Sequence, residues 1–276
     1  MKGLEFAIIR YGSIWNDPAF NVAVPNPATA HHPRTESVFS EFPASFILIR
    51  HPEVGYILYD VGDFPDGEDG IPRPDYWKEY FQPRMEREDY VDRILPRHGI
   101  QLSDISCIIL SHMHYDHAGG IKFFKGTKAA QNVYVPREDF AYACLSTLTN
   151  DEERKTTSPY WRSVVTAGGI TYHLLEEDVE LFPGVRLFLM SGHTPAVAVL
   201  LLEAENGNYL FPNDACSCRL NYGPPTRPTT ILYDSLGYEK SVKRLRRLER
   251  EYQAKLIFSH DLEEDRSYRH FPSFYR

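Results

Sequence analysis

The stretch IILSHMHYDHAGG, residues 108–120, joins an apolar, β-branched run to three histidines and an aspartate. The apolar run predicts a buried strand, and the following DHAGGIKFF predicts the start of a helix. His112, His114 and Asp116 alternate, so on an extended segment their side chains point the same way, and His117 follows as the chain turns into the helix. Four metal-ligating side chains therefore converge at the carboxyl end of a strand, where α/β proteins commonly bind ligands.

Three further strand ends carry groups that bind metals. FLMSGHTP delivers His193, YLFPNDAC delivers Asp214 and LIFSHDLE delivers His260, each just past an apolar run. Together with the first cluster they make five imidazoles and two carboxylates, whereas a single catalytic zinc ion takes about three protein ligands. Seven ligands suit two ions that share a bridging carboxylate. Imidazole and carboxylate ligands without thiolate favour zinc, and they leave iron, manganese and cobalt open.

The composition is that of an ordinary globular protein, and we predict one domain over residues 1–276. The formal charge of −8 argues against a nucleic-acid partner, because phosphate contacts need clustered Lys and Arg. No apolar run is long enough to span a bilayer, and the N-terminal segment is typical of a strand rather than a signal peptide. The cysteines are too few and too scattered for a disulfide framework, so we expect a cytoplasmic protein. They are Cys107, Cys144, Cys216 and Cys218.

The rest of the pattern predicts an α/β protein. Strands are predicted at residues 4–10, 45–51 and 55–63, and later apolar strands alternate with helices. This order favours sheets with helices outside, an α/β sandwich. Residues 15–42 and 149–158 are predicted as long surface loops, which often cover or line binding sites.

The seven candidate ligands, as a set, resemble the metal signature of the metallo-β-lactamase fold superfamily, from about residue 45 to 265. This resemblance implies an αββα sandwich of two mixed β-sheets flanked by helices, with two metal ions. The implied ligands are His112, His114 and His193 for one ion, Asp116, His117 and His260 for the other, and Asp214 as the bridge. Asp60, in YDVGD, stands at a supporting position rather than a ligand position.

A shorter match resembles one branch of that superfamily, the N-acyl homoserine lactone lactonases and 4-pyridoxolactonase. It rests on FSHDLEEDRSYRHFPSFY and on the context of Asp214. These ring-opening hydrolases carry a tyrosine three residues after the bridging aspartate, where it hydrogen-bonds the substrate carbonyl. Here that position is Ser217. We hypothesise that Tyr222, in the same loop, supplies the phenol instead.

The implied reaction is hydrolysis of a lactone, or a related carboxylic ester, by a hydroxide held between two metals. Asp116 is predicted to act both as a ligand and as a proton shuttle to the leaving alkoxide. A thioester or phosphodiester hydrolase of the same fold and an iron-dependent redox protein are the alternatives. The partner is a small-molecule substrate, and the sequence leaves monomer and homodimer open. The predicted substrate contacts are Ser217, Trp15, Phe20, Tyr160 and Trp161, and the aromatic ones would equally serve to pack the loops.

Overall fold

The larger of two β-sheets is built mainly from the first half of the chain. The computed structural model describes residues 1–68, 72–149 and 158–276, and within these ranges the sheet has seven strands in the order β4-β1-β2-β3-β5-β6-β7. β4, β1, β2 and β3 pair antiparallel, and β3, β5, β6 and β7 pair parallel. Their bounds are β1 Glu5–Asn16, β2 Ser40–His51, β3 Gly55–Tyr59, β4 Gln82–Arg84, β5 Ile105–Ile109, β6 Val133–Pro136 and β7 Tyr172–Leu175.

The smaller sheet has five strands in the described part of the chain, in the order β12-β11-β10-β9-β8. Neighbouring strands of this sheet pair antiparallel, except β11 and β12. These two are parallel because the helix α7 connects them. The strand bounds are β8 Val179–Phe182, β9 Val185–Met190, β10 Val197–Ala204, β11 Gly207–Phe211 and β12 Lys255–Leu256. The described helices are α1 Asp75–Tyr80, α2 Val91–Arg97, α3 Tyr115–Ala118, α4 Arg137–Leu148, α5 Arg162–Val165, α6 Arg219–Tyr222, α7 Ser235–Tyr252 and α8 Leu262–Asp265.

Helix α7 shows how the sequence pattern produces the outer layers. Val242, Leu245 and Leu248 recur at helical spacing and are buried in one apolar cluster with strands of the smaller sheet. The Asp234 side chain accepts a hydrogen bond from the backbone N–H of Leu236 and so caps the first turn. The charged positions between the apolar ones stay outside, as expected for a solvated helix face.

Three apolar clusters lie between four layers. The first joins the larger sheet to α1, α2 and the chain after β5, the second fills the space between the sheets, and the third joins the smaller sheet to α7. Phe6, Ile49 and Leu200 are fully buried between the sheets, where each large apolar side chain contributes about 1.5–3 kcal/mol. The predicted αββα sandwich of two mixed sheets is confirmed.

Several element bounds differ from those predicted. β1 and β2 run on past the predicted strands because they pair along their whole length, from Glu5 opposite Arg50 to Asn16 opposite Ser40. The loop predicted at 15–42 is therefore shorter, and β7 was not predicted. Residues 150–157 of the second predicted loop lie outside the described residues. Among the residues described, no helix combines the length and apolar character needed to cross a membrane.

Candidate metal centre

The seven predicted ligands lie together at one end of the sandwich, although they come from four separate segments. Each segment follows the carboxyl end of a strand, namely β5, β9, β11 and β12. Asp116 is half-buried and the other six are buried. In strand order they are His112, His114, Asp116 and His117, then His193, then Asp214, then His260.

The ligand atoms form overlapping groups in which all atoms lie within 4.8 Å of one another. The overlap produces two adjacent positions for ions rather than one. The groups are His112, His114 and His193; Asp116, His117 and His260; and His112, His117 and Asp214.

Asp214 lies between the two positions. Its Oδ2 is 3.3 Å from Nε2 of His193. Its Oδ1 is 3.2 Å from Nε2 of His260 and 3.6 Å from Nε2 of His117. One carboxylate oxygen thus faces each group of histidines, which is the geometry of a bridging ligand.

The backbone holds two of the imidazoles in a metal-binding tautomer. Nδ1 of His193 donates to the carbonyl oxygen of Ile231 at 2.9 Å, and Nδ1 of His260 donates to the carbonyl oxygen of Pro43 at 2.7 Å. In its neutral form each ring therefore presents an unprotonated Nε2 toward Asp214. Such hydrogen bonds to the second ring nitrogen orient metal-ligating histidines in general.

Asp60 orients the remaining part of the cluster from behind. Its Oδ2 accepts hydrogen bonds from Nδ1 of His117 at 2.8 Å, from Nδ2 of Asn213 at 2.8 Å and from Oγ of Ser111 at 2.9 Å. The Ser111 hydroxyl in turn lies 2.9 Å from Nδ1 of His112. Nε2 of His112 and Nε2 of His117 are buried without a hydrogen-bond partner among the described residues. A buried orphan nitrogen is costly unless a metal binds it, so the donor set fits two divalent cations.

Electrostatics keep part of the ligand set in the states that bind metals. Burial, reinforced by neighbouring imidazoles, lowers the pKa of His112 and of His114 well below the usual value, so both rings are neutral. Burial acts to raise the pKa of Asp214, but His260 and His117 outweigh it and hold this pKa well below its usual value. Burial acts to lower the pKa of His117 and of His260, but neighbouring carboxylates outweigh it and raise both values. Neutral imidazole and ionised carboxylate are the required ligand forms, so bound metals would displace the protons of these two rings.

Close packing fixes the segment that carries four of the ligands. The hydroxyl of Tyr11 donates to the carbonyl oxygen of Asp116 at 2.7 Å. The N–H of Gly120 donates to the carbonyl oxygen of Gly62 at 3.0 Å. A β carbon at Gly120 would lie 2.4 Å from the carbonyl oxygen of Val61, so only glycine fits there.

An open cavity reaches the ligand cluster, and Ser217 is among the residues that line it. One wall is mainly apolar and is formed by Ile14, Phe42, Trp77, Phe81, Pro159 and Ile231. Polar groups near the ligands come from Asn16, Asn21 and Thr229. Apolar walls with a few convergent polar groups are typical of small-molecule sites.

The structure does not bring Trp15, Phe20 or Trp161 into this cavity lining. Trp15 lies under the guanidinium of Arg84, at 3.9 Å. The ring of Phe20 packs 4.7 Å from that of Phe81, and Trp161 packs into the core below the larger sheet. Trp15 lies in β1, whereas Phe20 and Trp161 pack the segments around them onto the body, which is the alternative interpretation of the sequence for these two side chains.

Tyr160 reaches the ligand cluster from another side. Its ring centroid lies 4.6 Å from that of His114, and its hydroxyl donates to Oδ1 of Asp139 at 2.6 Å. It lines a second cavity that also touches His193. Tyr160 therefore contacts a ligand rather than the main cavity.

The side chain of Tyr222 does not lie where its predicted role requires it. Its hydroxyl donates to a carboxylate oxygen of Glu249 on α7, and its ring packs near Phe258 within the outer apolar cluster. The hydroxyl of Ser217 donates to Oδ1 of Asn221 at 3.0 Å. The hypothesis that Tyr222 replaces the lactonase phenol is corrected by this placement, because α6 turns the side chain toward α7 rather than over the ligands.

We expect Tyr222→Phe to leave kcat/KM within about twofold of the wild-type value. The variant should instead lower the free energy of unfolding by about 1–2 kcal/mol, since it leaves the Glu249 carboxylate without its donor. Paired kinetic and thermal-unfolding measurements check this. A tenfold loss of kcat/KM with unchanged stability would show that the hydroxyl acts in the reaction.

Sequence reasoning missed the apolar wall of the cavity. Ile14 and Phe42 pair across β1 and β2, so their side chains share one face of the sheet. Alternation could not place Ile14, because the register of β1 shifts between Arg10 and Gly12. Trp77 lies on α1 and Phe81 directly follows it, and nothing in their spacing indicates which side they face.

A family model described as the metallo-beta-lactamase superfamily matches residues 40–260. The chain belongs to the metallo-beta-lactamase superfamily. The matched region contains all seven candidate ligands and Asp60.

Two curated relatives within this superfamily align over most of the chain. The N-acyl homoserine lactonase AiiB of Agrobacterium fabrum is 29% identical, with 95% of each chain covered. The N-acyl homoserine lactonase AiiA of Bacillus thuringiensis subsp. kurstaki is 30% identical, with 80% of this chain and 83% of the relative covered. A solved N-acyl homoserine lactone hydrolase, with the product N-hexanoyl-L-homoserine at its catalytic metal centre, superimposes with a TM-score of 0.81 at 26% identity, covering 100% of both chains.

Proposed function

We propose that this metallo-beta-lactamase superfamily member is a dimetal hydrolase that opens lactones, with N-acyl homoserine lactones as its substrate class. The observation that carries the proposal is Asp214, which directs one carboxylate oxygen to each of two groups of histidines. The relatives described above, which act on N-acyl homoserine lactones, support the substrate class.

The donor set determines where the ions would bind. We assign zinc to both positions because imidazole and carboxylate ligands without thiolate suit it. When bound, two such ions lower the pKa of a water molecule and polarise the substrate carbonyl. The ligands assigned are His112, His114 and His193 for the first ion, Asp116, His117 and His260 for the second, and Asp214 for both.

Asp116 is assigned the proton transfers. Its half-buried carboxylate lines the cavity, and its Oδ2 lies 3.7 Å from Nε2 of His117. The hydrogen bond from the Tyr11 hydroxyl to the carbonyl oxygen of Asp116 holds the backbone from which the Asp116 side chain extends. From there Asp116 can accept the proton of the attacking water and deliver it to the oxygen that leaves when the ring opens.

The apolar wall of the cavity suits the acyl arm of the substrate. Ile14, Phe42, Trp77 and Phe81 line the same cavity as the ligands, so an arm attached beside the lactone carbonyl could pack against them. Burying each methylene group contributes about 0.8 kcal/mol. The wall therefore favours lactones with an acyl substituent over unsubstituted rings.

Charge near the site argues against phosphodiesters. Among the described residues that line the cavity, none is a lysine or arginine that could clamp a phosphate group. A neutral carbonyl substrate needs no such clamp. The lactone is therefore preferred to the phosphodiester alternative.

We further propose that residues 1–276 form one hydrolase domain and that the protein works in the cytoplasm as a monomer or homodimer. The four cysteines are free, which suits a reducing compartment. Three apolar clusters pack the four layers of the sandwich against one another, which suits a single domain.

The test is a comparison of kcat/KM for zinc-loaded protein on N-acyl homoserine lactones of increasing acyl length, γ-butyrolactone, simple esters, thioesters and phosphodiesters. We expect acylated lactones to rank first. Phe42→Ala should lower kcat/KM about tenfold for long acyl chains and less for γ-butyrolactone. Phe39→Ala, which removes an exposed ring outside the cavity, is the matched control. Faster cleavage of thioesters or phosphodiesters would overturn the assignment.

A further inference from the structure

A second buried carboxylate lies behind the ligand cluster and has no part in the proposed chemistry. Asp139, on α4, is 0% exposed. Its Oδ2 accepts the backbone N–H of Met113 at 2.6 Å, and its Oδ1 accepts the hydroxyl of Tyr160 at 2.6 Å. Both carboxylate oxygens are therefore used by residues that adjoin the ligands.

These two contacts act on the first metal position. Met113 is the residue between His112 and His114, so its N–H sets the backbone path that aims both rings. Tyr160 places its ring against that of His114, 4.6 Å between centroids, and Asp139 holds the ring there through the hydroxyl. Thr194, the residue after His193, lies beside Asp139 and Tyr160 as well.

The arrangement parallels that of Asp60. Asp60 contacts His117 and, through Ser111, reaches His112, and its other donor Asn213 precedes Asp214. Asp139 reaches the opposite side of the cluster, next to His114. Asp60 thus supports ligands of both positions for ions, whereas Asp139 adjoins the first position alone.

Burial raises the pKa of the Asp139 carboxyl to about 7, because a buried carboxylate is costly without a cation. Among the described residues no lysine or arginine forms an ion pair with it. An asparagine could accept from the same N–H without that cost. Two divalent cations at the neighbouring cluster would compensate the charge, and the charge in turn would raise the affinity of the cluster for cations.

We propose that Asp139 is a positioning residue for the first metal position, acting on His114 through Tyr160 and through the backbone of Met113. The proposal rests on the metal centre assigned above. Asp139 touches neither substrate nor ion, so its effect should appear in metal affinity before it appears in substrate binding.

The experiment measures the affinity of each of two zinc ions by competition with a chromophoric chelator. It compares wild type, Asp139→Asn, Asp139→Ala and Tyr160→Phe, together with thermal unfolding of each metal-free protein. Glu138→Gln is the matched control, since it removes a negative charge from the exposed neighbour on the same helix. We expect Asp139→Ala to weaken one ion about 10- to 100-fold and to leave the other unchanged. Asp139→Asn and Tyr160→Phe should weaken the same ion less, and Glu138→Gln should match wild type.

Kinetics at limiting zinc should show a lower kcat for Asp139→Asn with little change in KM. Unchanged affinity for both ions in folded Asp139→Asn would overturn the proposal, as would a loss of metal-free stability without loss of affinity. Wild-type protein that binds fewer than two ions would overturn the metal centre itself, and the inference with it. Because the wild type is measured in the same series, the two failures are distinguishable.

Discussion

Replacing Asp116 with asparagine should lower kcat by about 100- to 10,000-fold, the range that general acid–base groups contribute. Asparagine keeps the shape and one oxygen of the side chain but cannot accept a proton. The carboxylate is half-buried and lines the cavity with His114, His260 and Asp214, where an attacking water would be held. The fold should persist, because the backbone contact from Tyr11 to residue 116 does not involve the side chain.

The measurement is kcat on the best lactone at saturating zinc, with the metal content of each sample determined in parallel. Asp17→Asn is a matched control, since Asp17 only caps a short turn outside the cavity and asparagine caps equally well. If Asp116→Asn held two ions and kept near wild-type kcat on lactones and on activated esters alike, the proton-transfer role would be wrong.

Removal of the metals should abolish lactone hydrolysis and also destabilise the protein. The ligands come from four segments of the chain, so ions held by them would link those segments. A ligand present at 100 times its Kd stabilises the folded state by about 2.7 kcal/mol, so two ions contribute about 5 kcal/mol. For a chain of this size we expect the Tm to fall by about 10 °C or more.

Elemental analysis, activity and thermal unfolding before and after dialysis against a chelator check this expectation. Re-addition of zinc to about two equivalents should restore both activity and Tm. Fully active protein that contains one ion per chain would contradict the dimetal centre. Activity lost without any change in Tm would show that the ions do not connect the four segments.

The sequence by itself determined the metal ligands as candidates, because each lies just past an apolar strand and strand ends meet at one edge. It also determined the layered α/β architecture, since periodicity and turn residues specify local elements and their order. These properties depend on short-range patterns. The ligand spacing at His112, His114 and Asp116 is the clearest example, as alternation alone puts three groups on one side.

Contacts between segments that are far apart in the sequence decided which way the other side chains of the site point. Phe42 lines the cavity because β2 pairs with β1 in one particular register, and a shift of one residue would turn it away. Tyr222 points to Glu249, 27 residues along the chain, and Asp139 reaches Met113, 26 residues before it. The direction of a side chain on a short helix or loop depends on how the layers pack, and the local sequence does not encode that packing. The metal ligands could therefore be predicted from the sequence. The apolar wall of the cavity and the position of Asp139 depend on how the layers pack, so only the tertiary structure shows them.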